Sequence, residues 1–231
     1  MDDAVRLQRL GERAAAEVQD GMTLGLGTGS TAAAFLDALG ARVAAGLKIT
    51  GVPTSLRTKQ LATELGIPLL GFDEVDQLDL GVDGADEIDP ELNLIKGRGG
   101  ALLYEKLVAR ICDRYLVIAA DAKLVQELGT HLSLPVEIIP YGWRQTQTRV
   151  ALLAGNPTLR LLDDKPFLTD GGHYLLDCRT GPIMDPFSLD YALKATTGVV
   201  DHGLFMGIAT EAMVVDAAGA VIHLTPAQPS T

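Results

Sequence analysis

The chain has 231 residues, 47% of them hydrophobic, and a formal net charge of −11 at neutral pH. This length suits one large domain or two small ones, and the composition favours a buried core over disorder. The negative charge disfavours nucleic acids and anionic membrane surfaces as partners, because both attract basic proteins.

The first 130 residues alternate between helix-like and strand-like segments. Leu10, Ala14 and Val18 recur at every fourth position, which predicts an amphipathic helix over 2–19. The further predicted strands are 22–26, 47–52, 67–70, 78–82 and 115–119, and the further helices are 32–45, 55–65, 101–112 and a short one ending near Gly129. Such alternation predicts a mostly parallel sheet that is covered on both faces.

From His131 onwards the order of predicted elements changes. Asp185 and Pro186 have the residue types of a helix cap and a first helical position. The predicted strands are 134–139, 158–162, 173–178 and one beginning at 199, and the helices are 143–153 and 185–194. The resulting β-α-β-β-α-β order is typical of a ferredoxin-like fold.

The last part of the chain contains a predicted hairpin, with strands 213–215 and 220–224 around the turn 216–219. We expect this hairpin to return to the first sheet and the tail 225–231 to be frayed. The predicted fold class is therefore α/β, with a parallel-sheet domain over 1–130 and 206–231. A smaller ferredoxin-like α+β domain over 131–205 interrupts it.

The segment GLGTGST, residues 25–31, lies between a predicted strand and a predicted helix. Backbone N–H groups and the helix dipole favour a phosphate at such a junction. The dinucleotide-binding pattern requires a glycine where Ser30 stands, and the P-loop pattern requires a lysine that is absent here. Two interpretations remain open: an anion-binding turn with Thr28, Ser30 and Thr31, or a tight turn in which Ser30 caps the helix.

Acidic residues follow the predicted strand 78–82, where open α/β sheets build their sites. Asp83 and Asp86 could hold a metal ion, transfer protons or lie in a solvated turn. The four histidines lack the spacing of metal ligands, so a metal site is disfavoured, although carboxylates alone can bind Mg²⁺.

A lysine-bearing, glycine-rich turn and a short helix come next. Lys96 could be an ordinary surface lysine or a cation that stabilises an oxyanion together with N–H groups of the turn. Glu105 could face solvent, or it could be a partly buried carboxylate of raised pKa that acts as a base. Lys123, just past a strand, is a candidate phosphate contact, whereas the role of Arg98 stays open.

The remaining features indicate a cytoplasmic protein. No apolar run reaches the roughly 18 residues of a membrane span, and the start MDDAV lacks the layout of a signal peptide. Cys112 and Cys178 are too few for a disulfide scaffold. We therefore expect reduced thiols and neither a membrane nor a nucleic-acid partner.

Taken together, the motifs resemble the A-type ribose-5-phosphate isomerase family. The matching blocks, in the order of that family, are GLGTGST at 25–31, VDGADEID at 82–89, IKGRGGALLYEK at 95–106, Asp121-Ala-Lys123, LPVEIIP at 134–140 and GVVDHGLF at 198–205. The resemblance implies interconversion of D-ribose 5-phosphate and D-ribulose 5-phosphate in the non-oxidative pentose phosphate pathway. It also implies that the parallel-sheet domain is Rossmann-like and is interrupted by the ferredoxin-like one. It further implies no metal or other cofactor and a homodimer or larger homo-oligomer.

The resemblance assigns roles residue by residue. It implies that Glu105 moves the proton between C1 and C2, while Asp83, Asp86 and Lys96 bind sugar oxygens and assist ring opening and oxygen proton transfer. The implied substrate-binding residues are Thr28, Gly29, Ser30, Thr31, Gly84, Ala85, Gly97, Arg98, Gly99 and Lys123, with Thr28 to Thr31 and Lys123 chiefly on the phosphate. A basic residue of the first helix, Arg6 or Arg9, is a further possible phosphate contact.

Arg98 departs from the pattern, since the family often has only glycine in this turn, and we expect its side chain to point outward. Features of the sequence disfavour two other functions. A related lactonase or amino-sugar-phosphate deaminase is disfavoured by the DGADE and KGRGG blocks. A non-catalytic sugar-phosphate-binding module of a transcription regulator is disfavoured by the acidic charge.

Overall fold

The computed structural model describes residues 2–226 and contains a central parallel sheet and a smaller antiparallel one. The helices are α1 Asp3–Ala16, α2 Ser30–Ala44, α3 Leu56–Glu64, α4 Leu102–Arg110, α5 Trp143–Ala151 and α6 Pro186–Lys194. The strands are β1 Thr23–Leu26, β2 Thr50–Pro53, β3 Leu78–Gly84, β4 Glu87–Ile88, β5 Leu94–Ile95, β6 Cys112–Ala120, β7 Leu134–Ile138, β8 Asn156–Leu159, β9 Leu161–Leu162, β10 Lys165–Pro166, β11 Tyr174–Arg179, β12 Val199–His202, β13 Leu204–Phe205, β14 Glu211–Val215 and β15 Val221–Leu224.

The central sheet has the order β15-β14-β6-β3-β1-β2. All of its pairs are parallel except that of β14 with β15, which form the predicted hairpin. Leu26 of β1 lies opposite Val82 of β3, so the carboxyl ends of these neighbouring strands meet at one edge. This register brings the turn after β1 beside the acidic residues that end β3.

Apolar side chains cover both faces of the central sheet. On one face, Leu10 of α1 and Phe35 of α2 pack with Leu24 and Leu80 in a fully buried cluster. On the other face, Leu102 of α4 belongs to a second cluster. The prediction of an α/β fold with a covered parallel sheet is confirmed.

The smaller sheet is antiparallel, with the order β12-β7-β11-β8. Val150 of α5 and Leu193 of α6 pack against it in a separate buried cluster. This arrangement agrees with the predicted β-α-β-β-α-β order. The predicted strand 158–162 was wrong in detail, because the chain breaks at Arg160 into β8 and β9, and β9 pairs with β10 in a separate hairpin.

Other predicted elements were wrong or were missed. Residues 67–70 form only one bridge, Gly51 with Leu69, and not a strand. The helix predicted to end near Gly129 is replaced by a single 3-10 turn, Asp121–Lys123. Three two-residue strands, β13, β5 and β4, form a small sheet that was not predicted. Part of the predicted frayed tail, residues 227–231, lies outside the described residues.

Candidate active site

A cleft opens at the carboxyl ends of β1 and β3, where parallel sheets commonly place their sites. The start of α2, the glycine-rich turn after β5 and the first turn of α4 surround it. The residues that line it are Thr28, Gly29, Ser30, Thr31, Gly84, Ala85, Asp86, Lys96, Gly97, Gly99, Glu105 and Lys123.

The start of α2 forms one end of the cleft. Gly29 is the N-cap, with a φ of 120° that favours glycine, and no side chain in the described part of the chain caps the helix. The alternative in which Ser30 is an ordinary helix cap is therefore wrong. Residues of the first helical turn and Lys123 line the same cavity, and a helix N-terminus together with a lysine suits an anion.

The hydroxyl group of Thr28 is engaged by neighbouring hydroxyls. Its Oγ1 lies 2.7 Å from Oγ1 of Thr54, 2.9 Å from Oγ of Ser55 and 2.9 Å from Oγ1 of Thr58. Ser55 caps α3 as predicted, because its side chain accepts a hydrogen bond from the N–H of Thr58. This cluster fixes the turn between β1 and α2.

Asp83 and Lys96 form a buried ion pair, with 3.2 Å between Lys96 Nζ and Asp83 Oδ2. Lys96 Nζ also donates to the carbonyl oxygen of Gly84. The second oxygen of Asp83 accepts hydrogen bonds from the N–H groups of Thr28 and Gly84, at 3.0 and 2.7 Å. Gly27 permits this close approach, since a Cβ there would lie 2.4 Å from the carboxyl group. Asp83 thus joins the ends of β1 and β3.

The charged groups in the site shift one another's pKa values. Burial raises the pKa of Asp83, although Lys96 and the N–H of Gly84 act in the opposite direction. Burial alone would lower the pKa of Lys96, but the carboxylates of Asp83, Glu105 and Asp86 outweigh it and raise that pKa. Lys96 therefore stays a cation beside several acids.

Glu105 faces the cleft from the first turn of α4. It shares the buried side of this helix with Leu102 and Ala109, and only 4% of its surface is exposed. Its Oε1 lies 3.5 Å from Lys96 Nζ, and its buried Oε2 has no hydrogen-bond partner among residues 2–226. Burial, followed by repulsion from Asp83, raises its pKa to about 8 against the attraction of Lys96. A carboxylate in this state is suited to accept a proton.

The glycine-rich turn 97–100 lies opposite α2. Gly97 and Gly100 have φ values of 108° and 81°, which explains why glycine stands at both positions. The N–H of Arg98 donates to Asp86 Oδ2 at 2.9 Å, while the Arg98 side chain is exposed, as expected. The turn thus holds Asp86 at the cleft through backbone contacts.

Comparison with known proteins identifies the family of this chain. The family model described as ribose 5-phosphate isomerase A (phosphoriboisomerase A) matches residues 50–219. The ribose-5-phosphate isomerase A of Bradyrhizobium diazoefficiens is 53% identical over 218 residues, which cover 90% of each chain. The chain belongs to the ribose 5-phosphate isomerase A family. The resemblance found in the sequence is thereby confirmed.

Other family members agree in sequence and in structure. The ribose-5-phosphate isomerase A of Gloeobacter violaceus is 47% identical over 227 residues, or 98% of each chain. A solved D-ribose-5-phosphate isomerase in complex with phospho-erythronic acid has a TM-score of 0.94 to this structure and 36% identity. That comparison covers 97% of this chain and 100% of the other.

The structure brings most of the predicted site residues together. All twelve residues that line the cleft belong to the set predicted from the sequence. Two predicted residues do not line it: Asp83 is buried next to Lys96, and Arg98 lines a neighbouring cavity. Neither arginine of the first helix is part of the lining, since Arg6 and Arg9 donate to the carbonyl groups of Asp216 and Gly219.

Sequence reasoning missed residues that support the site from behind. The hydroxyl group of Tyr115 donates to Asp83 Oδ2 at 3.3 Å, and the ring of Phe205 lies 5.6 Å from Lys96 Nζ. The position of Tyr115 follows from the pairing of Val82 with Leu116, which no local motif reveals. Phe205 lies in the GVVDHGLF block, so that block was the available signal.

Proposed function

We propose that the chain interconverts D-ribose 5-phosphate and D-ribulose 5-phosphate by moving a proton between C1 and C2 through an enediolate, in the non-oxidative pentose phosphate pathway. The observation that carries this proposal is the buried Oε2 of Glu105, which has no hydrogen-bond partner among residues 2–226, in a cleft that also contains Lys96. Membership of the isomerase family supports it. In the direction of the ketose, Glu105 takes the proton from C2 and returns it to C1.

The phosphate group would bind at the start of α2. Ser30 and Thr31 contribute N–H groups of the first helical turn, and Lys123 contributes a positive charge across the cavity. The solved relative in complex with phospho-erythronic acid supports this class of ligand. That acid combines a phosphate with a planar, anionic carboxylate, which resembles the charge distribution of an enediolate.

Charge that develops on O1 and O2 requires stabilisation during the proton transfer. We assign this role to Lys96 and to the N–H groups of the glycine-rich turn, because preorganised donors in a water-poor site stabilise oxyanions. Asp86, which lines the cleft, would exchange protons with the sugar oxygens and assist ring opening. Asp83 would hold Lys96 in place through their ion pair.

The proposed reaction moves only protons, so its chemistry requires no cofactor or metal ion. Among residues 2–226, no three His, Cys, Asp or Glu side chains form a cluster that could hold a metal ion, and no described helix is long and apolar enough to cross a membrane. A cytoplasmic location and assembly into a homodimer or larger homo-oligomer complete the proposal.

The test is to incubate the purified chain with D-ribose 5-phosphate in deuterium oxide and to follow the sugar by NMR. We expect D-ribulose 5-phosphate to form and to carry solvent deuterium at C1. A non-catalytic binding module would leave the sugar unchanged, and a lactonase or deaminase would form no ribulose 5-phosphate. Either of these results would contradict the proposal.

A further inference from the structure

We propose that Arg160, from the smaller sheet region, is a positioning residue for the isomerase site. This inference rests on the proposed function and extends it beyond the residues that line the cleft. Arg160 lies in the break between β8 and β9. Its Nη1 donates to the carbonyl oxygens of Gly97 and Arg98, at 3.1 and 3.0 Å. A single guanidinium group therefore holds two successive peptide groups of the glycine-rich turn.

The guanidinium group of Arg160 is itself held firmly. Its Nε donates to Asp177 Oδ2 at 2.9 Å, and its Nη2 donates to the other oxygen of the same carboxylate. The ring of Phe167 lies 5.9 Å from the guanidinium carbon and also packs against Gly100. Bidentate pairing of this kind fixes the plane of an arginine side chain. The guanidinium group of Arg160 thus has a defined orientation relative to the glycine-rich turn.

The two peptide groups that Arg160 holds direct their N–H groups towards the site. In a trans peptide the N–H points away from the carbonyl oxygen. The N–H of the first peptide belongs to Arg98 and donates to Asp86 Oδ2 at 2.9 Å. The N–H of the second belongs to Gly99, which lines the cleft and whose N–H has no hydrogen-bond partner among the described residues.

This arrangement gives Arg160 two effects on the reaction. Its contacts fix the peptide planes, so that Asp86 and the Gly99 N–H keep their positions relative to the bound sugar. Its positive charge on the carbonyl side also polarises both peptide groups, which strengthens their N–H groups as donors. Both effects act mainly on the transition state, where negative charge on the sugar oxygens is largest. A change at Arg160 should therefore alter kcat more than KM.

The test compares the wild-type enzyme with Arg160→Ala, Arg160→Lys and Arg144→Ala by steady-state kinetics. Arg144 is the matched control, because it is an exposed arginine of α5 that also stacks on an aromatic ring, Trp143, at 5.1 Å. We expect kcat of Arg160→Ala to fall about 10²-fold, the scale of a misplaced catalytic group, with a smaller change in KM. Guanidinium ion at sub-denaturing concentration should restore part of kcat in that variant only.

Arg160→Lys keeps the positive charge and the aliphatic part of the side chain but loses the planar guanidinium group with its several donors. We therefore expect an intermediate loss of kcat. If Arg160→Ala does not fold, the kcat of Arg160→Lys still tests the positioning role of Arg160. Wild-type kcat in either variant, or a loss in Arg160→Ala that guanidinium ion does not reduce, would overturn the inference. With an active wild-type enzyme, such results would leave the proposed function intact, whereas an inactive wild-type enzyme would remove both.

Discussion

At the scale of single residues, the protonation of Glu105 is the property most relevant to activity. The carboxyl group is buried beside two other acids and one lysine, and its pKa is raised to about 8. A general base works best when its pKa lies near the working pH. The environment of Glu105 therefore makes its carboxylate basic enough to remove a proton from carbon.

The pH dependence of kcat/KM should report this raised pKa. Because Glu105 must be ionised to accept the proton, activity should fall as the pH drops through about 8. Activity at alkaline pH should persist beyond the ordinary range of lysine, since the neighbouring carboxylates outweigh burial and raise the pKa of Lys96. Initial rates measured across the pH range test both the loss of activity at low pH and its persistence at alkaline pH. An acidic limb near the ordinary glutamate value of 4.5 would contradict this account.

The sequence revealed those site residues that lie close together along the chain. Asp83, Asp86, Lys96 and Glu105 fall within one stretch that begins at the end of β3, and charged groups beside glycines at a strand end are a recognisable local pattern. Arg160 lies far along the chain from the turn that it contacts, and no local spacing relates the two. Residues of this kind can be found only once the packing of both sheets is known.

At the scale of elements, apolar periodicity predicted the long helices and most strands of the two large sheets. The strands that were missed share a physical cause. The two-residue strands β4, β5 and β13 are too short to show an alternating pattern, and tertiary pairing alone defines them. Residues 67–70 have the composition of a strand but form a single bridge to Gly51.

Helix α4 is anchored by a second buried ion pair on the residue after Glu105. Lys106 Nζ lies 2.6 Å from Asp201 Oδ1 and donates to the carbonyl oxygen of His202 at 2.7 Å. Lys194 reaches the other oxygen of Asp201 at 2.7 Å, but its side chain is 55% exposed, compared with 10% for Lys106. Although burial acts against it, the two lysines lower the pKa of Asp201 to about 2.

The two lysines form a matched pair for a stability measurement. Lys106→Met should lower the free energy of unfolding by about 3 kcal/mol, the low end for breaking a buried pair, because Lys194 still contacts Asp201. Lys194→Met should cost less than about 1 kcal/mol, as expected for an exposed partner. Urea unfolding of both variants measures the difference. Equal decreases in the free energy of unfolding would show that the difference in burial between the two lysines does not set their contributions to stability.

At the scale of the whole molecule, the part of the chain that carries the smaller sheet contacts the site through Arg160, which follows β8 and donates to the glycine-rich turn. We propose that residues 131–205 form a ferredoxin-like domain inserted into a Rossmann-like domain of residues 1–130 and 206–231. Strand β13 lies within the proposed insertion but pairs with β5. Pairing across this boundary would fix the two domains relative to each other.

The proposed homo-oligomer would provide partners for exposed apolar side chains in the region of the smaller sheet. Large side chains that are at least 78% exposed there are Tyr141, Leu152, Met184 and Tyr191. Burial of these side chains between copies of the chain would remove apolar surface from water, which favours association. Light scattering coupled to size-exclusion chromatography should therefore give a mass of at least about twice the 24.4 kDa of one chain. A mass of one chain across the measured concentrations would contradict the proposed homo-oligomer.

The central claim is that Glu105 carries the proton between C1 and C2. The most direct measurement is solvent deuterium incorporation into the sugar by Glu105→Gln, a variant of nearly the same size, with binding of ribose 5-phosphate verified in parallel. We expect the variant to bind the sugar but to incorporate deuterium at least about 10³-fold more slowly than wild type, since the amide cannot accept the proton. Deuterium incorporation at a near wild-type rate would show that another group moves the proton.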